Sequence, residues 1–456
     1  MASIHRYHLV ASFDPDASTT NTLYDQRVDT ITARIPFLDF GGRFRYGLQT
    51  AIDEYHKMGI HPSEAGFDAI TLGMMVYIAD MKVSRLHQSQ DCWTRELRLT
   101  VPVHDRKWES HTDTLERMLR FLTGDLWSIE FVRRDFGLSQ HADDEERTDK
   151  YRVASLFSGG MDSLIAAINY LESGRPTLLV SHAGEGRVRH SQVDILGGLD
   201  ELYGEVPHEN AYLWTGLTDI ELPFSDGDMN QRSRSFLFIA IALFAMSGMS
   251  GCTRLMMPEN GLIALNVPLD VTRVGSHSTR TTHPFYLGLW NEIVGDVFGY
   301  SIENPYWNKT KGEMAASCLN KAVLWSLLGK SFSCSSVNSA SIRSGISQHC
   351  GHCLPCIIRR AAIYKAFGRE DPSQYMYARV QEVRENRGPV GEQLRSFEYA
   401  IERLRSRPQS RHLLIHVPGP LVGDSIYLSE LADLYWRGMM EVEDWMTACL
   451  EAEDAS

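Results

Sequence analysis

The chain reads as an α/β protein built on a doubly wound, mainly parallel sheet, and three features of the sequence predict this. From Tyr151 onward, short apolar runs alternate with runs of helical periodicity. The first strand-to-helix junction is a loop of small residues, Ser158-Gly159-Gly160-Met161-Asp162-Ser163. Two later apolar runs end in polar loops, Ser181 to Gly186 and Pro258 to Gly261. In such sheets ligands bind beyond the carboxyl ends of the strands, so the three loops are expected to share one crevice.

Taken in order, residues 1–148 form an N-terminal α+β accessory domain closed by an acidic linker, HADDEERTD. Within it Asp113 to Leu122 has Leu115, Met118, Leu119 and Leu122 on one helical face, and Trp127 to Val132 alternates as a strand after a turn at Gly124-Asp125. Residues 149–330 form a second domain, which carries the small-residue loop. There RVASLF is a strand, LIAAINYLESG a helix closed by Gly174, and TLLVSH the next strand. Helices follow at Gln192 to Leu202 and Ser235 to Met246, with a strand at Leu255 to Met257. Residues 331–368 carry clustered cysteines, and 369–456 form a helical tail with Leu394, Phe397, Ile401 and Leu404 at helical spacing, then an apolar helix from Leu428 to about Leu450.

At 456 residues the chain exceeds one ordinary core. Its 43% hydrophobic and 23% charged residues are those of a globular protein. A formal charge of -13 disfavours a protein that coats nucleic acid, which needs Lys and Arg to neutralise phosphates. The start of the chain lacks the pattern of a secretory signal, and the longest apolar stretch, 236–249, falls short of the roughly 20 residues that cross a bilayer. A cytoplasmic location is the expectation.

The loop after the first strand suits an anion. Gly159 and Gly160 let the backbone approach phosphates, the hydroxyls of Ser158 and Ser163 can donate, and free amides at the helix start favour negative charge. Asp162 is placed to act through a magnesium ion, and as a loop carboxylate without core packing its removal is expected to spare the fold. No Lys follows the glycines, so this is not a Walker loop. Four of the eight cysteines, Cys334, Cys350, Cys353 and Cys356, fall close together, the last three within CGHCLPC. Thiolates two residues apart can share one tetrahedral ion, and four of them fill the sphere of a structural zinc. His349 and His352 then lie beside a completed site.

The loop SGGMDS resembles the signature of PP-loop ATP pyrophosphatases, and its combination with CGHCLPC followed by Arg359 and Arg360 resembles 7-cyano-7-deazaguanine synthase. The Arg189-His190 pair, Arg234 at a helix start, and Lys311 with Glu313 in KTKGEM are similar to elements of that family. The resemblance spans about residues 151–368. It implies a two-stage reaction: ATP adenylates the carboxylate of 7-carboxy-7-deazaguanine, and an amine displaces AMP to give an amide, which the synthase activates again to a nitrile. It also implies catalytic roles for Asp162, Ser163, Arg234 and Lys311, ATP contacts from Ser158, Gly159, Gly160, Asp162 and Ser163, and ATP, Mg2+ and Zn2+ as cofactors; Glu259, Asn260 and Arg280, in a segment where the chain departs from that family, are further candidates for ATP contact.

The chain also departs from that family. The synthases are considerably shorter, and a long central segment from Met256 to Leu287 replaces a shorter loop, bringing Glu259, Asn260 and the group Arg280, Thr281, Thr282 and His283. With YIADMKVSR, Trp93, Trp108 and FLTGDLW, this extended architecture resembles the synthase-like proteins of bacterial anti-phage systems, particularly the Qat system. That resemblance implies a partner protein from a defence operon whose N-terminus or lysine accepts the acyl group in place of ammonia, with the product stopping at the amide. The other readings are a tRNA-modifying PP-loop adenylase, disfavoured by the lack of a basic stripe, and a scaffold that senses ATP without turnover.

Overall fold

The computed structural model describes residues 5–15, 21–89, 92–139, 147–182, 186–228, 232–269, 280–335 and 348–455. Most of the acidic linker, the middle of the loop after Ser181 and part of the central segment lie outside the described residues.

Two five-stranded sheets make up the α/β frame. The first contains β1 (Arg6–Ser12), β2 (Asn21–Asp25), β3 (Thr30–Pro36), β4 (Glu96–Val103) and β5 (Leu126–Arg133), in the order β2-β3-β1-β4-β5. Only β2 runs antiparallel to its neighbour. Its connections include α1 (Leu48–Lys57), α2 (Glu64–Lys82) and α3 (Thr112–Thr123). The second contains β6 (Val153–Leu156), β7 (Thr177–His182), β8 (His208–Leu213), β9 (Arg254–Met256) and β10 (Ser301–Glu303), all parallel, in the order β10-β9-β6-β7-β8. Between and after these strands lie α4 (Met161–Glu172), α5 (Gly186–Tyr203), α6 (Arg234–Met246), α7 (Pro284–Phe298), α8 (Leu354–Phe367), α9 (Pro389–Ser406) and α10 (Ser425–Asp454). Among the described residues no helix is long and apolar enough to cross a membrane.

Strand order in the second sheet reverses between β6 and β9, and the period-2 alternation of side chains shows that both faces are covered. Ala154, Leu156, Leu178 and Val180 join the core cluster of Phe236, Leu237 and Ile241 from α6. Val153 and Leu179 point the other way, into the cluster of Leu164, Ile165 and Ile168 from α4. Such double coverage leaves every residue of β6 and β7 buried.

The core also runs across the junction near residue 148. Leu9, Ile31 and Leu99 of the first sheet share one buried cluster with Phe236 and Leu243 of the second half. Helix α2 contacts β1 and β4 on one side and packs on α6 on the other, so the layers stack as sheet, α2, α6, sheet. The two helices touch at Gly73, where a methyl group would lie 2.4 Å from Ala240 Cβ.

A buried charge cluster closes the same junction and joins YIADMKVSR to FLTGDLW. Arg95 and Arg85 each pair with Asp80 and Asp125 at 2.6–2.8 Å, and Asp80 Oδ2 accepts the Ser233 amide at 2.8 Å, one residue before Arg234. Two guanidinium groups facing two carboxylates leave no charge buried alone, the condition for tolerating ions in a core.

Helix packing at Gly73 gives a direct test. Gly73→Val should cost about 2–3 kcal/mol through overpacking against Ala240. Gly197→Ala on α5, where a methyl meets nothing within 4 Å, should instead stabilise by roughly 0.5–1 kcal/mol. Both are read from denaturant midpoints.

Candidate functional site

Strand β6 delivers the small-residue loop to the sheet's carboxyl edge, and α4 begins immediately behind it. Gly159 sits at φ +79°, and a side chain there would press on Ser191 and Gln192 of α5 at 3.1–3.3 Å, so glycine is needed on both counts. Ser158 Oγ and Ser163 Oγ lie 3.4 Å apart. The Gly160 amide donates to Ser158 Oγ at 3.3 Å, and the Met161 amide to Ser333 Oγ at 3.4 Å. Hydroxyls and amides thus converge at a helix start, a donor set suited to an anion.

The expectation that Asp162 is a free loop carboxylate is corrected. Its side chain is buried. Oδ1 pairs with Lys311 Nζ at 2.9 Å, and Oδ2 accepts the Asn260 amide at 3.0 Å and Asn260 Nδ2 at 2.8 Å. Burial alone would raise this carboxyl, but Lys311, with hydrogen bonds from Glu259 and Asn260, outweighs it and holds Asp162 below the usual carboxylate range. Glu259 moves oppositely: burial, then the charge of Asp162, push it well above its ordinary value. Of the two carboxyls, Glu259 is therefore the one whose environment favours the protonated form.

Asp162, Asn260, Glu259 and Lys311 are thereby gathered from three strand ends, those of β6, β9 and β10. Asn304 completes the ring, accepting the Glu259 amide at 3.4 Å and donating to its carbonyl at 2.8 Å. Arg234 reaches the end of β7, where its Nη2 donates to His182 O at 3.1 Å. Burial and Arg234 lower His182 to about 3, so its ring is neutral and adds no charge. Arg280 is placed elsewhere: it donates to Phe121 O at 2.9 Å and stacks on the Phe121 ring, facing the end of α3. His283 caps α7, Arg189 stacks on Tyr212, and Trp108 is core.

Lys311 opens a short helix, Lys311–Ala316. Thr310 and Glu313 form a reciprocal capping box at its start. Glu441, deep in α10, accepts Thr310 Oγ1 at 2.6 Å and the Gly312 amide at 2.9 Å. Burial, with a contribution from Glu313, pushes Glu441 up to about 7 against the opposing hydrogen bonds and Lys365.

The four cysteines form the second centre. Their sulfurs all lie within 4.8 Å of one another, with Cys334 to Cys353 and Cys350 to Cys356 at 3.9 Å. Tetrahedral sulfurs at a Zn–S bond of about 2.3 Å stand roughly 3.8 Å apart, so the cluster fits a zinc ion. Amides of Cys350 and Cys353 donate to Cys334 Sγ and Cys350 Sγ. His349 bridges Cys356 Sγ and Ser331 O, the outer position expected for it.

The centre backs the small-residue loop through the segment 330–334. The Phe332 amide donates to Gly159 O at 3.0 Å, Ser191 Oγ lies 2.9 Å from Gly159 O and 2.8 Å from Lys330 O, and Cys334 follows directly. Arg359, fully buried and paired with Asp371 at 2.6 Å, holds Ser331 Oγ at 2.7 Å and Leu328 O at 2.8 Å. Phe332, Ser333, Gln192 and Glu441 escaped the sequence reading. Only the spacing of Ser333 before Cys334 offered any signal.

No family model matches the chain, and no curated protein aligns with it.

Two outcomes follow from this geometry. Cys353→Ser, or extraction of the metal with a strong chelator, should lower the melting temperature and accelerate proteolysis near 330–335, because metal binding contributes folding free energy. For Glu441 the acid is raised in the folded state, so its contribution is fully present below about pH 4.5 and is lost as pH rises through about 7. The unfolding free energy of wild type minus that of Glu441→Gln should therefore fall by about 3 kcal/mol between pH 4.5 and 8 in paired denaturation curves.

Proposed function

We propose that the chain is an ATP-dependent carbon-nitrogen ligase of the PP-loop class. It adenylates a carboxylate, 7-carboxy-7-deazaguanine by resemblance, and passes the acyl group to an amine. The observation that carries this reading is the gathering of three strand-end loops around Asp162, beside a glycine-serine loop at a helix start. Four thiolates fit a structural ion, leaving the chemistry to the loop.

In the first step a carboxylate oxygen attacks the α-phosphorus of ATP and pyrophosphate leaves. In the second an amine attacks the acyl carbon, the C–O electrons depart with AMP, and the amine loses a proton. Ser158, Gly159, Gly160 and Ser163 hold the departing pyrophosphate, while Lys311 and Arg234 offset charge growing on phosphate oxygens. Asp162 and Glu259 would hold a magnesium ion, which would supply positive charge to offset the negative charge of the polyphosphate. The acceptor is ammonia or, by the Qat resemblance, an amine of a partner protein in anti-phage defence.

Incubation with magnesium, ATP and the deazapurine acid should yield AMP and pyrophosphate in equal amounts, dependent on the acid, by ion-exchange chromatography. ADP with orthophosphate would refute the reading. Asp162→Asn should cut AMP formation about a hundredfold or more. Asp162→Ala should additionally destabilise by about 3 kcal/mol, since it strands the Lys311 charge.

A further inference from the structure

The C-terminal helix α10 contributes two side chains to the turn that presents Lys311, and neither belongs to the nucleotide-loop half of the chain. Glu441 is buried, and its two carboxyl oxygens meet two groups on either side of Lys311: the Thr310 hydroxyl at 2.6 Å and the Gly312 amide at 2.9 Å. A methyl group on Gly312 would stand 2.5 Å from the Glu441 carboxyl, so the turn is pressed directly against the helix. One helical turn earlier, Arg437 binds Glu313 at 2.7 Å and donates to Asn308 O at 2.8 Å. Residues 308 to 313 are therefore gripped by α10 along the whole approach to Lys311, whose Nζ meets Asp162 on the far side.

We infer that Glu441, seconded by Arg437, is a positioning residue for Lys311: its carboxyl sets where the ammonium stands relative to Asp162 and the small-residue loop. A lysine has four rotatable bonds, and an ion pair alone does not fix its stem. Fixing Thr310 and Gly312 fixes the Lys311 Cα between them, and the remaining freedom is removed by Asp162. Glu313 and Lys365 are the charged groups felt by Glu441, and Glu313 is itself turned toward Arg437. That Lys311 meets a phosphate rests on the function proposed above; its placement by Glu441 does not.

The test reads Lys311 directly. Reductive methylation with formaldehyde, quantified by peptide mass spectrometry, is compared in wild type, Glu441→Ala and Glu441→Gln, with metal content and near-ultraviolet circular dichroism verifying the fold. Titration calorimetry with magnesium-ATP runs in parallel. Glu441→Ala should raise Lys311 labelling about tenfold and weaken magnesium-ATP by a similar factor, whereas Glu441→Gln, able to donate to Thr310 and accept from Gly312, should stay within about twofold of wild type. Should the alanine variant fail to fold, Arg437→Ala replaces it, with a smaller rise in labelling expected. Wild-type labelling in whichever folded variant is used, or glutamine as reactive as alanine, overturns the assignment. Absence of magnesium-ATP binding by wild type overturns the functional reading alone, and Lys311 labelling still decides the role of Glu441.

Discussion

The ion pair between Asp162 and Lys311 is the constraint on which the candidate site depends. Both side chains are buried, and each would be costly there alone, because desolvation of an isolated charge amounts to several kcal/mol. Their mutual attraction offsets that cost only with good geometry and further hydrogen bonds, which Asn260 supplies to the second oxygen of Asp162. The pair thus does more than attract. It obliges the loop after β6, the turn after β9 and the helix after β10 to meet at one point, since separating any of them strands a charge.

That point needs backing from both sides, and the chain supplies it from regions remote in sequence. The cysteine cluster and Arg359 brace the segment 330–334, which in turn holds the backbone of Gly159 and Met161. On the other side the charge cluster of Asp80, Arg85, Arg95 and Asp125 sets the start of α6 through Ser233, and with it Arg234. A four-cysteine cluster that fits a zinc ion and a buried charge cluster therefore both act on its shape. Their rigidity is the means by which a site made of small residues keeps its geometry.

Much of this was legible in the sequence where burial is symmetric. Strands β6 and β7, covered on both faces, appear as short runs built on Val153, Ala154, Leu178, Leu179 and Val180, and the helices at α4, α6 and α10 appear through their apolar side chains. Strand β8, His208–Leu213, lies at the sheet's edge with a polar, half-buried pattern, and β10 is three residues long, so neither carries a signal above that of a loop. The cysteines declared themselves by spacing alone. The burial of Asp162 did not, because it depends on Lys311, 149 positions further along and reached only through the sheet. Arg280 shows the converse: a dense polar group in the sequence is drawn away from the loop by an aromatic ring on α3 that no local pattern reveals.

The charge balance of the site carries one further consequence. Lys311 is already committed to Asp162, so the pair is close to neutral, and burial with the charge of Asp162 raises Glu259 beside it well above the usual carboxylate range. A polyphosphate entering this setting would gain from amides, hydroxyls, Arg234 and the ammonium that Lys311 shares with Asp162, but it would also approach Asp162 at close range. Repulsion between a buried carboxylate and a phosphate is poorly screened at such depth. Asp162 and Glu259 would hold a divalent cation on the proposed reading, and its charge would offset that repulsion. On the proposed reading, then, nucleotide and metal are not independent ligands. The carboxyl pair would make the binding of each favour that of the other.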